Sequence, residues 1–200
     1  MKFISLLLLF PFVFSTLHAE VAQKAEDATV IEAGTQTPNP VLTTIEGDTT
    51  SLDALRGDQP TVLVFYRGGW CPYCNRQLAA LQDVMPQLKE KGWQLIALSP
   101  DKPEALMKTI KKENLDYTLV SDSKMEAAKA FGIAFQVDAP TIEKYKTYKI
   151  DLVSASGETH QQLPVPSVFL IDAAGKITYA YSNPDYKVRL SSEDLLSAIE

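Results

Sequence analysis

The sequence predicts an α/β protein, with a central mixed β-sheet flanked by helices on both faces and an N-terminal β-hairpin extension. Three observations carry that expectation. Short apolar runs at 62–66, 93–98 and 168–171 are bounded by turn signals and suit strands covered on both faces. Between and after the first two runs, apolar residues recur at helical spacing. The resulting order, β-α-β-α-β-α and then a β-hairpin and a helix, belongs to a sheet held between helical layers.

Taken in order, residues 1–19 read as a signal peptide. Lys2 supplies the positive start, 3–13 are apolar apart from Ser5 and Pro11, and Ala19 ends a candidate cleavage site. The run is short for a membrane span, so no stable membrane insertion is expected after cleavage. No cysteine follows the cut, which argues against a lipid anchor. Residues 20–40 are polar and contain prolines, and are expected to form a loosely attached arm. Val41 to Ile45 and Thr49 to Ser51 flank Glu46-Gly47-Asp48 as a hairpin. A helical turn at 52–56 precedes the strand at Thr61.

A helix is expected from Cys71 to Gly92 on the spacing of Leu78, Leu81, Met85 and Leu88. Strand 93–98 follows, then a helix over 102–114 with Leu106 and Ile110 facing inward. A short strand at 117–120 and a helix at 124–131, stopped by Gly132, continue the alternation. From 133 to 164 the pattern weakens, and the stretch is long for a connection within one domain. Strands 168–171 and 176–181 form a hairpin, and Ser191 caps a last helix with Asp194 three residues on. Residues 41–200 are thus read as one domain, ample for a sizeable core.

The stretch 61–78 carries the chemistry. Gly68-Gly69 turns the chain where a Cβ would clash, and Pro72 sits near the first helical position, where its missing N–H costs nothing. Cys71-Pro72-Tyr73-Cys74 therefore falls on the first turn of a helix at the carboxyl edge of a central strand. Unpaired N–H groups and the helix dipole favour a thiolate there. The two-residue spacing brings both sulfurs within reach of one disulfide. These are the only cysteines in the chain. A purely structural disulfide closing so short a loop removes little unfolded-state entropy. A zinc site needs more ligands than one histidine downstream of the leader, His160, supplies. The same shortage argues against a Cys–His hydrolase. No cofactor or metal is implied.

The formal net charge is −6. Loss of Lys2 with the leader takes one of 19 basic residues, so 18 face 25 acidic ones and the charge becomes −7. An acidic chain without a basic block is a poor nucleic-acid binder. Export to an oxidising compartment, a bacterial periplasm, is the expectation.

From about Thr37 to Ile199 the chain resembles the thioredoxin-like fold. Within it the resemblance is to the alkyl hydroperoxide reductase/thiol-specific antioxidant superfamily, the peroxiredoxin-like proteins. Its carriers are the motifs at 52–57, 62–66, 98–101, 119–122, 127–132 and 168–172; residues 133–164 match least. That family carries P-x-x-x-T-x-x-C. With Cys74 in the peroxidatic place, the threonine position holds Cys71 and the proline position Arg67. Where the family has an arginine before its F-hydrophobic-I-D strand, this chain has Pro166. The groups that orient and polarise a peroxide are absent at those positions.

The replacements resemble those of a thiol–disulfide oxidoreductase: Trp70-Cys-x-x-Cys is thioredoxin-like, and Pro72-Tyr73 is the glutaredoxin dipeptide. The resemblance implies a cis Pro166 facing the disulfide, the alternative being a trans proline that starts a strand. Trp70 is a lid over the sulfurs or a core residue, and Arg67 lowers a cysteine pKa or is solvated. The implied mechanism has an exposed Cys71 thiolate attack a partner disulfide, with Cys74 resolving the mixed disulfide. Partners would be a protein disulfide or dithiol and an external thiol electron donor. The rival reading is a thiol peroxidase, with Cys74 peroxidatic and Cys71 resolving; a non-enzymatic binding module is a third.

Overall fold

A computed structural model describes residues 21–199; the signal peptide expected at 1–19 lies outside the described residues. Strands β1 (Val41–Thr43) and β2 (Thr49–Ser51) form the N-terminal hairpin, in register from Val41↔Ser51 to Thr43↔Thr49. Ser51 caps α1 (Leu52–Arg56), its hydroxyl accepting from the Ala54 N–H. Then come β3 (Thr61–Phe65), α2 (Pro72–Glu90), β4 (Gln94–Ser99), α3 (Pro103–Glu113), β5 (Thr118–Ser121) and α4 (Glu126–Ala130). A small two-stranded ribbon, β6 (Ala134–Gln136) with β7 (Gln162–Pro164), encloses α5 (Ala139–Thr147) and α6 (Leu152–Ser156). Strands β8 (Ser167–Ile171) and β9 (Ile177–Ser182) and helix α7 (Ser192–Ala198) complete the described chain.

The main sheet has the order β2-β1-β5-β4-β3-β8-β9. Its centre, β3-β4-β5, is parallel, while β8 and β9 add antiparallel at one side and the N-terminal hairpin at the other. Every residue of β3 is buried, which explains its unbroken apolar run: alternate side chains serve two cores. Val62 and Val64 pack with Leu78, Leu81 and Leu88 of α2 on one face. Leu63 and Phe65 pack on the other with Phe131 and Phe169, whose rings lie 4.9 Å apart. The four apolar positions that predicted α2 are all buried.

Two segments differ from expectation. The N-terminal arm is not loose. Ala22 donates to the Ala134 carbonyl (2.9 Å) and accepts from the Gln136 N–H (2.8 Å), extending the β6–β7 ribbon. Ile31 donates to the Phe131 carbonyl (3.1 Å), and Val21, Val30 and Ile31 lie against the Phe65–Phe131 core. The polar composition hid this because the apolar residues are few and irregularly spaced. At Gly132 (φ +68) the arm comes so close that a Cβ would stand 1.9 Å from the Thr29 carbonyl oxygen.

The weakly patterned 133–164 stretch is ordered round a small core of its own, Val137, Leu152 and Leu163, against which Trp70 and Tyr145 pack. His160 is taken up structurally. Its Nδ1 accepts from the Gln162 N–H (2.9 Å), which leaves Nε2–H to donate to the Ser123 carbonyl (2.7 Å).

Candidate active site

Strands β3 and β4 run parallel and end side by side, and ligands of such sheets gather beyond those carboxyl ends. The chain leaves β3 through Arg67-Gly68-Gly69-Trp70 and enters α2 with Cys71 as its N-cap. Both glycines are required. Gly68 has φ +145, and a Cβ there would lie 2.3 Å from Trp70 Nε1; at Gly69 one would lie 1.9 Å from Thr109 Oγ1. The turn is pinned from two sides. The Gly69 N–H donates to Asp101 Oδ2 (2.7 Å), at the end of β4, and its carbonyl accepts from Asn75 Nδ2 (2.9 Å).

The two sulfurs, both free, have different surroundings. Cys71 Sγ accepts from the Cys74 N–H at 3.4 Å, filling the usual place of an N-cap oxygen. The hydrogen bond from the Cys74 thiol, helped by that N–H and by the charges of Arg67 and Arg189, outweighs burial and brings the Cys71 thiol down to about 6. Burial, and the neighbouring Cys71 sulfur, push Cys74 well up. Both shifts favour the thiolate at Cys71 and the protonated thiol at Cys74. Burial also raises the Asp101 carboxyl to about 6, against the opposing pull of the Gly69 N–H.

Two arginines reach the site. Arg67, 4% exposed, is not solvated: its guanidinium donates to the Tyr145 hydroxyl and lies 4.0 Å from the Tyr186 ring centroid and 5.2 Å from that of Trp70. Arg189 places Nη2 3.4 Å from Cys74 Sγ and Nη1 3.4 Å from Gln77 Oε1. Tyr186 also meets Tyr73 edge-on at 5.6 Å. The stretch after β9 thus contributes Tyr186 and Arg189 across the mouth of the site. Under these neighbours Cys71, expected to be exposed, retains only 2% of its surface, and Cys74 none.

The cis proline is a further correction: among the described residues every peptide bond is trans. On either side of the Val165–Pro166 bond the Val165 N–H donates to the Ile133 carbonyl and the Pro166 carbonyl accepts from the Asn183 N–H. Pro166 stands just before β8, where a missing N–H breaks no ladder. It lines, with Arg67, Tyr145 and Tyr186, a groove of about 360 Å³ beside the site. Trp70 is half-buried, joining the α2-side core to the 133–164 core with its ring 5.6 Å from Tyr145. Pro72 is exposed at the start of α2.

Asp101, Tyr145, Tyr186 and Arg189 escaped the sequence reading. Asp101 belongs to the 98–101 motif, which by itself gives it no role; the other three lie in stretches with no periodicity to mark them. Among the described residues no three His, Cys, Asp or Glu side chains gather to hold a metal ion.

A thioredoxin-like α/β sheet with two free cysteines at the first turn of its central helix defines a thiol-based oxidoreductase. Residues 33–180 match the AhpC/TSA family, and the chain belongs to it. It is 30% identical over 153 residues to "Peroxiredoxin Bcp" of Escherichia coli, covering 76% of this chain and 86% of that protein. It is also 26% identical over 190 residues to "Thiol-disulfide oxidoreductase ResA" of Bacillus cereus, covering 94% and 90%. Among solved structures, reduced Prx3 of Vibrio vulnificus in complex with hydrogen peroxide superposes with TM-score 0.70 at 18% identity, covering 85% of this chain and 99% of that one. Peroxidoxin BcpB of Mycobacterium tuberculosis gives 0.65 at 20%, covering 84% and 96%. Those two likenesses establish the fold.

Proposed function

We propose that the protein is an exported thiol–disulfide oxidoreductase that cycles a Cys71–Cys74 disulfide in redox homeostasis. One observation carries the reading: the unequal surroundings of the two sulfurs. Cys71 is the sulfur held as thiolate, by the Cys74 thiol, a helix-terminal N–H and two guanidinium charges. Cys74, buried as Cys71 is, has its thiol form favoured. That is the arrangement of an attacking and a resolving thiol. The Cys71 thiolate attacks a partner disulfide, forms a mixed disulfide and releases the first partner thiolate. Cys74 then loses its proton and attacks Cys71 Sγ, releasing the second partner thiolate and leaving Cys71–Cys74 oxidised. An external thiol returns the pair to the dithiol. Arg67 favours the thiolate, Pro72 and Tyr73 set the first turn of α2, and Trp70 and Pro166 border the entrance.

The apolar leader-like run at 3–13 supports export to a periplasm. Among the described residues no helix is long and apolar enough to cross a membrane.

The peroxidase reading draws support from the relative named a peroxiredoxin. It would use Cys74, the sulfur with the raised pKa, with Cys71 in the threonine position of the family motif. Both features disfavour rapid attack on a peroxide. Stopped-flow oxidation of the reduced protein by hydrogen peroxide, with dimedone trapping in Cys71→Ser and Cys74→Ser, decides between them. Exchange predicts oxidation near the rate of free cysteine and a stable mixed disulfide on Cys71 in Cys74→Ser. Fast oxidation, with sulfenic acid on Cys74 of Cys71→Ser, would establish the peroxidase.

A further inference from the structure

On the far side of the Tyr73–Tyr186 contact from the Arg67 groove lies a second cleft, of about 290 Å³, between the first turns of α2 and the chain leading into α7. Its charged lining is entirely basic: Arg76, Lys187 and Arg189, with no Asp or Glu. Among the described residues none of the three enters an ion pair. In a chain of net charge −6, three cations without an ion-pair partner around one small cleft are not a matter of composition; the carboxylates of the same segment, Asp185 and Asp194, accept instead from the Lys187 N–H and the Ser191 hydroxyl. The Arg67 groove is different, its lining including Glu26 and Asp138 as well as Lys24. Arg189 ties the cleft to the chemistry through its contact with Cys74 Sγ, while its own buried Nε has no partner. Arg76 and Lys187 are exposed at the rim, Arg76 5.4 Å from the Tyr73 ring centroid and Lys187 5.9 Å from that of Tyr186.

The geometry points to this cleft as a carboxylate subsite: the small-molecule disulfide or thiol that exchanges with Cys71 carries an anionic group that Arg76, Lys187 and Arg189 receive. The inference rests on the exchange reading. Arg76 lies five positions beyond Cys71, about 7.5 Å along the helix axis, which suits a compact molecule whose sulfur and carboxylate are a few bonds apart. A volume near the small end of ligand sites suits the same class. Low-dielectric walls and cations of one sign also raise the local concentration of such a substrate.

The test compares reduced wild-type protein with Arg76→Gln/Lys187→Gln, whose two sites are exposed and leave both cysteines untouched. Single-turnover rate constants are measured with the dianionic 5,5′-dithiobis(2-nitrobenzoate) and the neutral 4,4′-dithiodipyridine. The ratio of anionic to neutral rate constants is expected to fall about fivefold or more in the variant, and to fall in the wild type as salt is raised. An unchanged ratio with both disulfides reacting would overturn the subsite and leave exchange standing. Inertness toward both disulfides would instead overturn the exchange reading. A readout without turnover then decides the subsite: chemical-shift titration of the reduced protein with 4-(methylthio)benzoate against thioanisole. Saturable shifts around Arg76 and Lys187 with the carboxylate alone, lost in the variant, support it. Equal response to both probes, or none, overturns it; an acidic protein is then the candidate for the cleft.

Discussion

At the scale of single residues, two cysteines on one helical turn differ because one receives hydrogen bonds and the other gives one. Cys71 accepts from the Cys74 thiol and N–H and faces two guanidinium charges, whereas Cys74 is fully enclosed. Alkylation of the reduced protein by iodoacetamide should therefore modify Cys71 first. The rate should rise with pH to a midpoint near 6 and then level off, because the thiolate reacts and is fully formed above that pH. Cys74→Ala removes the leading stabilising contact and should move the midpoint up. Arg67→Met should move it up by less, since the guanidinium charge ranks behind both hydrogen bonds from Cys74. Midpoints that stay near 6 in both variants would mean that neither neighbour holds the thiolate. The type and spacing of these cysteines were legible in the sequence. The degree of enclosure was not, because Tyr186 and Arg189 arrive from more than a hundred positions away, and no periodicity marks the residues between β9 and α7.

At the scale of elements, α4 shows a cap supplied from outside the helix. Its flanking Met125 is left-handed (φ 60) and offers no side-chain acceptor. Asp122, at the end of β5, accepts instead from the Ala127 and Ala128 N–H groups at 2.9 and 2.8 Å. Burial raises this carboxyl to about 7 in spite of both bonds. A raised folded-state value means that the folded protein holds the proton more tightly. Its contribution to stability is full below about 3.8 and is lost as pH rises through about 7. Asp101 adds a loss of the same sign, complete somewhat lower, near 6. The urea midpoint of Asp122→Asn, which keeps an acceptor but does not titrate, should therefore decline less between pH 4 and 8 than that of the wild type. Asp122→Ala should cost about 1–2 kcal/mol at low pH through the lost cap; a parallel pH slope in all three proteins would dismiss the account. Elements of this kind divide into the legible and the hidden by length. The buried run of β3 and the four inward residues of α2 declared themselves. Strands β6 and β7 have three residues each, and α5 buries none of its residues completely, so neither period could emerge.

At the scale of the whole molecule, the sheet order and both cores follow from patterns carried within single elements, while the arm is held by contacts that only the assembled fold creates. Val21, Val30 and Ile31 find apolar partners on the surface made by Phe65, Phe131 and Phe169, residues brought together from three separate elements. Gly34 and Thr35 join the outermost strand through Ile177, the Gly34 N–H donating to its carbonyl (2.7 Å) and its N–H donating to the Thr35 carbonyl (2.9 Å). Half-burial of three branched side chains contributes roughly 3 kcal/mol, reduced by the entropy of ordering the arm. A chain beginning at Thr35 should accordingly unfold at a lower urea concentration and bind more 8-anilinonaphthalene-1-sulfonate than one beginning at Val21. Gly132→Ala should reproduce much of that loss with the arm present, because its Cβ would strike the Thr29 carbonyl and the left-handed backbone adds strain. A tether would behave otherwise: cutting it would leave the midpoint unmoved, and alanine at position 132 would cost only its own backbone strain. In the shortened chain that strain alone should remain, so a smaller effect of Gly132→Ala there than in the longer one would identify the arm as the partner it strikes.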